Sequence, residues 1–199
     1  HATGKYVWFI DSDDTVDKGA CGNIKRALIK NNEPDMLSFG SNDYYADGSF
    51  KRKFIDWSKD KSLEDWKFDS DYRPYTRATK RSVLEKSFSY IPNDLHIYRH
   101  NDFFMFNILK HFVDTKAVLN QPLYNYKLSD TSVTAEKTIE SISKHVKHVD
   151  FLLAEYEVML SHLRTDGYIK DKSYIERFTS NEKTKMAKYF VNSYSSDPV

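Results

Sequence analysis

Three aspartates lie within four positions at the end of an apolar segment near the start of the sequence. Asp11, Asp13 and Asp14 directly follow the five apolar or aromatic residues 6–10 in GKYVWFIDSDDTV. Carboxylates held this close repel one another, so a folded protein that keeps them must offset that cost. A divalent cation offsets it, and so does a role that needs a proton. The pattern therefore indicates metal binding or acid–base chemistry.

Three interpretations of the segment DSDD at 11–14 are open. The first is a helix N-cap, in which Asp or Ser side chains accept hydrogen bonds from free backbone N–H groups. The second is the Asp-x-Asp-x-Thr/Val motif of a haloacid-dehalogenase-type phosphatase, with Asp11 as nucleophile and Asp13 as general acid. The third is a metal-dependent nucleotide-sugar transferase. In it, carboxylates at i and i+2 hold a divalent ion that bridges the donor diphosphate.

Hydrophobic patterns predict the elements that position these aspartates. The apolar run 5–10 predicts a buried, parallel-type strand, and helical spacing follows over 19–30. A strand over 35–45 turns at an Asp-Gly pair into a hairpin. The further predicted elements are a surface loop or short helix at 58–70, a strand and helix within 73–86, a helix from 102 to 112, and a strand at 116–130 broken at Pro122. Tyr124 and Tyr126 alternate along this last strand, so they share one face, and we expect them to pack in the core.

The last third of the sequence has a different character. Apolar residues at alternating steps of three and four predict a long amphipathic helix over 139–163, and a second helical stretch covers 173–194. We therefore divide the chain into a mixed strand–helix domain, 1–134, and a helical C-terminal extension, 135–199. The apolar seam of the long helix either packs against its own domain or docks a partner, so a non-catalytic helical interaction module is an alternative function.

Composition and charge argue against nucleic-acid binding and against a membrane-spanning segment. Lys and Arg total 30 against 29 Asp and Glu, a net charge of +1 that gives no global field for nucleic acid. The sequence contains no run of 18 apolar residues. A single cysteine, Cys21, excludes a disulfide within the chain and predicts a reducing compartment, and we expect this residue to be a small buried hydrophobe. We predict a cytoplasmic location, with peripheral attachment at the inner face of the membrane as a further option.

Five motifs occur in an order that resembles family 2 glycosyltransferases of the GT-A fold, which build bacterial surface polysaccharides. The motifs are ATGKYVWFIDSDD, PDMLSFGSNDYYADG, RATKRSVLEKSFSY, HNDFFMFNILKHF and QPLYNYKLSDTSVT. Together they cover about residues 2 to 134. The resemblance implies an α/β fold, an incomplete GT-A-like mixed sheet with flanking helices, followed by a helical C-terminal tail.

The resemblance also implies an activity and a set of site residues. The activity is inverting transfer of a sugar from a nucleotide-sugar donor to a hydroxyl of a saccharide or lipid-linked saccharide. Asp11 and Asp13 match the motif that holds Mn²⁺ or Mg²⁺, and Asp102 matches the base that deprotonates the acceptor. The implied substrate-binding residues are Asp14, Asn101, which stands where the family often has Glu, and Lys127, which stands where the family has a basic residue near the diphosphate.

The nucleotide-binding half of such an enzyme precedes the Asp-x-Asp motif. We therefore expect the chain to be a fragment that binds nucleotide-sugar weakly and has little transferase activity alone. An exposed sheet edge would then favour pairing between copies. A homo-oligomer through that edge, or through the 139–163 helix, is expected.

Overall fold

The computed structural model describes most of the chain, and its order of elements is that of a mixed α/β protein. The described residues are 2–55, 61–67, 73–95, 101–128 and 139–170, with the helical positions 173, 175–177, 179–181 and 183–184. The strands are β1 (Tyr6–Trp8), β2 (Thr15–Val16), β3 (Met36–Tyr44), β4 (Phe50–Phe54), β5 (Arg77–Lys80) and β6 (Lys116–Lys127). The α-helices are α1 (Ala20–Lys30), α2 (Leu63–Lys67), α3 (Arg81–Phe88), α4 (Asn101–Leu109) and α5 (Ile139–Thr165), and 3₁₀ turns cover Pro74–Thr76 and Lys110–Phe112.

The six strands form one sheet in the order β1-β5-β3-β6-β2, and β4 pairs with β3. The central strand β3 runs parallel to β6 and antiparallel to β4 and β5. The prediction of a parallel-type first strand is wrong, because β1 is half-buried and pairs antiparallel with β5. Its unbroken apolar sequence has another cause. Tyr6 and Trp8 pack on one side of the sheet with α1, whereas Val7 and Phe9 pack on the other side with α4.

Strand β6 continues through the proline that was predicted to break it. The β3–β6 register shifts around this point: Phe39 pairs with Leu119, whereas Gly40 pairs with Pro122. A proline has no N–H for the ladder and is tolerated where a strand bulges. The bulge leaves the second half of β6 free to pair with β3 on one side and with β2 on the other.

Gly40 lies at this bulge with no room for a side chain. A Cβ there would lie 2.3 Å from the Phe54 carbonyl oxygen and 3.3 Å from that of Gln121. We expect Gly40→Ala to lower the free energy of unfolding by about 2 kcal/mol or more, because backbone atoms of two strands must move apart. Urea unfolding measures this free energy.

Gly22→Ala is the control, since its Cβ would lie 3.6 Å from the nearest atom, Arg26 Nη1. That substitution in helix α1 should stabilise by about 0.5–1 kcal/mol. Equal stability of Gly40→Ala and the parent would contradict the close approach.

Helix α1 forms as predicted and packs its apolar stripe on the sheet. Its buried residues are Ala20, Ile24, Ala27 and Leu28. The prediction that Cys21 is buried is wrong, because its thiol lies off this stripe and is exposed.

The long amphipathic helix is confirmed as α5, and the later part of its seam packs within the chain. The buried seam residues are Val149, Leu153, Tyr156, Leu160 and Leu163. They share one core with Phe104, Ile108 and Phe112 in and after α4. Val146, at the earlier end, is exposed. The predicted domain boundary at 134 lies outside the described residues. Within the described ranges, no helix combines the length and apolarity that crossing a bilayer requires.

Candidate active site

The three neighbouring aspartates form a tight loop between β1 and β2, called here the aspartate loop (residues 11–14). Its turn is closed by a hydrogen bond of 3.2 Å from the Asp14 N–H to the Asp11 carbonyl oxygen. After the loop, the chain runs antiparallel along β6 as the short strand β2. Helix α1 begins only at Ala20, with Gly19 as an N-cap that provides no side-chain hydrogen bond. The aspartates therefore do not cap this helix.

Asp14 faces the sheet and uses both of its carboxylate oxygens there. Oδ2 accepts a hydrogen bond of 2.7 Å from the Tyr124 hydroxyl, and Oδ1 accepts one of 2.7 Å from the Lys127 backbone N–H. Burial raises the pKa of Asp14, the two hydrogen bonds oppose that rise, and the negative charges of Asp13 and Asp11 add to it. Asp14 thus ties the aspartate loop to the end of β6.

Asp11 and Asp13 face solvent. In the part of the chain that the structure describes, neither carboxylate accepts a hydrogen bond or forms an ion pair. The surrounding protein partly desolvates Asp11, which raises its pKa, and the negative charges of Asp13 and Asp102 raise it further. A third acid, distant in sequence, therefore lies close enough to act electrostatically on the aspartate loop.

That third acid lies in the first turn of α4, where a carboxylate interacts favourably with the helix dipole. Asp102 is partly buried, and its backbone N–H donates a hydrogen bond of 2.9 Å to Asn101 Oδ1. Lys127 is exposed at the end of β6 and contacts the aspartate loop through its backbone. His100, two residues before Asp102, lies outside the described residues.

One of the two tyrosines that the sequence predicted to pack in the core also reaches the aspartate loop. Tyr124 is fully buried, yet its hydroxyl bonds to the loop. Tyr75 stacks on Tyr124 at 4.6 Å between ring centroids and on Tyr126 at 5.2 Å. Burial raises the pKa of Tyr126, as do four nearby aspartates, Asp14 first among them. The alternation of the two tyrosines along β6 indicates that they share one face. The neighbouring sequence does not indicate which groups their hydroxyls contact.

The arrangement supplies exposed carboxylate oxygens at the aspartate loop. Among the described residues, no group of three or more His, Cys, Asp or Glu side chains is arranged to hold an ion. Two exposed carboxylates, with a third nearby, can share a hard cation with oxygen atoms of a bound ligand.

Comparisons with known proteins identify the fold. No protein-family model matches the sequence, and no curated protein matches it. Among solved structures, the chain is similar to S. aureus TarS 1-349, with a TM-score of 0.58 and 14% sequence identity over 90% of this chain and 46% of that one. The chain shares the fold of this part of TarS. The prediction of a GT-A-like mixed sheet with flanking helices is confirmed.

A second TarS structure gives the same result with a ligand present. S. aureus TarS 1-349 in complex with UDP-GlcNAc matches with a TM-score of 0.58 and 14% identity over 89% of this chain and 47% of that one. The chain thus spans about half the length of TarS 1-349. At this identity the likeness shows the fold alone.

Proposed function

We propose that the protein is a metal-dependent, inverting glycosyltransferase that moves a sugar from a nucleotide-sugar to an acceptor hydroxyl in bacterial surface polysaccharide synthesis. The observation that carries the proposal is the geometry of the aspartate loop, in which Asp14 is bound by Tyr124 and the Lys127 backbone while Asp11 and Asp13 face solvent. The negative charge of Asp102 also acts on Asp11. The donor class is supported by the fold likeness to TarS 1-349, which was solved with UDP-GlcNAc.

The residues present fit a divalent cation by their chemistry. Asp11 and Asp13 are exposed and offer only oxygen donors, which Mg²⁺ and Mn²⁺ prefer. Two carboxylates leave coordination positions for the donor diphosphate and for water. A cation would also offset the repulsion between the two carboxylates. When bound, such an ion neutralises charge that develops on the departing nucleoside diphosphate.

Asp102 acts as the general base in this proposal. In an inverting transfer by one displacement, the oxygen of the acceptor hydroxyl attacks the anomeric carbon while one carboxylate takes the hydroxyl proton. The bond from the anomeric carbon to the diphosphate oxygen breaks, and the nucleoside diphosphate leaves. At the start of α4 this carboxylate interacts favourably with the helix dipole. Asn101 beside it contributes an uncharged hydrogen-bonding group to the acceptor side, and the acceptor is a saccharide or a lipid-linked saccharide.

Lys127 and Asp14 act at the donor side. The exposed Lys127 ammonium would offset phosphate charge next to the aspartate loop. Asp14 has both oxygens engaged by Tyr124 and by the backbone of Lys127, so it serves substrate binding by holding its neighbours in place.

A donor-turnover assay tests the proposal in the natural polypeptide that contains these 199 residues. We expect UDP to be released from UDP-GlcNAc or a related UDP-sugar in the presence of Mn²⁺, release to stop with EDTA, and excess Mn²⁺ to restore it. Release that is indifferent to EDTA would contradict the metal role. Release of inorganic phosphate from a phosphomonoester, together with a phosphorylated Asp11, would contradict the proposal and favour a haloacid-dehalogenase-type phosphatase.

A further inference from the structure

We propose that Tyr124 is a positioning residue whose hydroxyl holds the aspartate loop in the conformation that binds the cation. The inference rests on the proposed function and extends it to a residue that touches neither the cation nor the substrate. It comes from the path of the hydrogen bonds between β6 and the loop.

The Tyr124 hydroxyl joins both ends of the aspartate loop. It accepts a hydrogen bond of 3.0 Å from the Asp11 backbone N–H and donates one of 2.7 Å to Asp14 Oδ2. A phenolic hydroxyl has one proton to donate, and the carboxylate takes it, so the oxygen lone pairs are left for the amide. One side-chain oxygen thereby sets the separation of the two residues that enclose Asp13.

The ring behind this hydroxyl is held firmly. Tyr124 is fully buried, stacks on Tyr75 at 4.6 Å, and contacts the Trp8 ring at 6.2 Å between centroids. Trp8 ends β1 just before the loop, and its Nε1–H donates a hydrogen bond of 2.6 Å to the Tyr75 carbonyl oxygen. Strand β1, which leads into the loop, and strand β6, which carries Tyr124, are therefore connected through the packed rings of Trp8, Tyr75 and Tyr124.

Electrostatics explains why the loop needs this support. The negative charges of Asp13 and Asp102 repel the Asp11 carboxylate, and the two hydrogen bonds of the Tyr124 hydroxyl hold the loop against this repulsion. A hydrogen bond to an ionised carboxylate is about twice as strong as one between neutral groups. Loss of the hydroxyl would leave the Asp11 N–H without its partner and would let the repulsion separate the two proposed ligands. Loss of such an outer contact typically costs about 10- to 100-fold in metal affinity.

The test is Mn²⁺ titration, with UDP present, of the natural polypeptide and its Tyr124→Phe variant, followed by electron paramagnetic resonance of free Mn²⁺. We expect Tyr124→Phe to bind Mn²⁺ about 10- to 100-fold more weakly. We also expect saturating Mn²⁺ to restore most of the turnover. The Mn²⁺ concentration that gives half-maximal turnover should therefore rise by a larger factor than the factor by which kcat falls. Unchanged Mn²⁺ affinity in a folded Tyr124→Phe variant would overturn the proposal.

Tyr6→Phe is the matched control, because it removes a hydroxyl that donates a 2.6 Å hydrogen bond to the Pro34 carbonyl oxygen away from the loop. It should leave Mn²⁺ affinity unchanged, and an equal loss in both variants would overturn the specific role. If Tyr124→Phe does not fold, Asp14→Ala removes the same bond from the other side, together with the bond from the Lys127 backbone N–H. Asp14→Ala should lose affinity to a similar extent, and parent-like affinity in it would overturn the proposal. Absence of Mn²⁺ binding by the parent would instead defeat the proposed function.

Discussion

Asp102→Asn is expected to lower kcat by about 100- to 10,000-fold while leaving the affinities for Mn²⁺ and the nucleotide-sugar within about threefold. The magnitude is that of a positioned general base. Asn cannot take the proton from the acceptor hydroxyl, yet it keeps an oxygen in the first turn of α4 where Asp102 lies. The helix should therefore still form.

The measurement is steady-state transfer in the natural polypeptide, with donor and Mn²⁺ binding determined separately. Asp150→Asn is the control, because it removes an exposed carboxylate from helix α5. A kcat for Asp102→Asn within threefold of the parent would remove Asp102 from the mechanism.

Asp13→Asn is expected to lower Mn²⁺-dependent turnover at least about 100-fold and to weaken Mn²⁺ binding, because an exposed ligand of the proposed cation loses its charge.

The same substitution should not lower the free energy of unfolding. The negative charge of Asp13 helps to raise the pKa of Asp11 above its ordinary value. The folded state then holds a proton on Asp11 more readily than the unfolded state, so the repulsion costs stability at neutral pH and this cost disappears as pH falls through the raised pKa.

Thermal unfolding at pH 7 and at pH 3 checks this sign. We expect the melting temperature of Asp13→Asn to equal or slightly exceed that of the parent at pH 7, with the difference vanishing at pH 3. The shift is small because Asp11 and Asp13 are exposed and solvent screens their interaction. Asp13→Glu is the companion variant, since it keeps the charge and should retain part of the Mn²⁺ binding. Full turnover by Asp13→Asn would contradict the metal role, and a large loss of stability would show that Asp13 is structural.

Local patterns predicted the elements whose form depends on near neighbours. The apolar stripe of α1, the hairpin of β3 and β4, and the long helix α5 follow from spacing and turn residues that lie within a few positions of one another. Two errors share one cause. The direction of β1 and the continuity of β6 through Pro122 depend on which strands lie alongside, and pairing partners leave no mark in the local sequence.

The sequence by itself determined which residue types the site contains: three acids after an apolar strand, an acid that begins a helix, and tyrosines that alternate along a strand. Only the tertiary structure decided what each of these residues contacts and which of them face solvent. It turns Asp14 inward against Tyr124, leaves Asp11 and Asp13 in solvent, and brings the charge of Asp102 to the same place. The reason is physical, since hydrogen bonds and Coulomb interactions depend on distance in space. The fold sets that distance by placing β1 and β6 in one sheet and packing α4 against it.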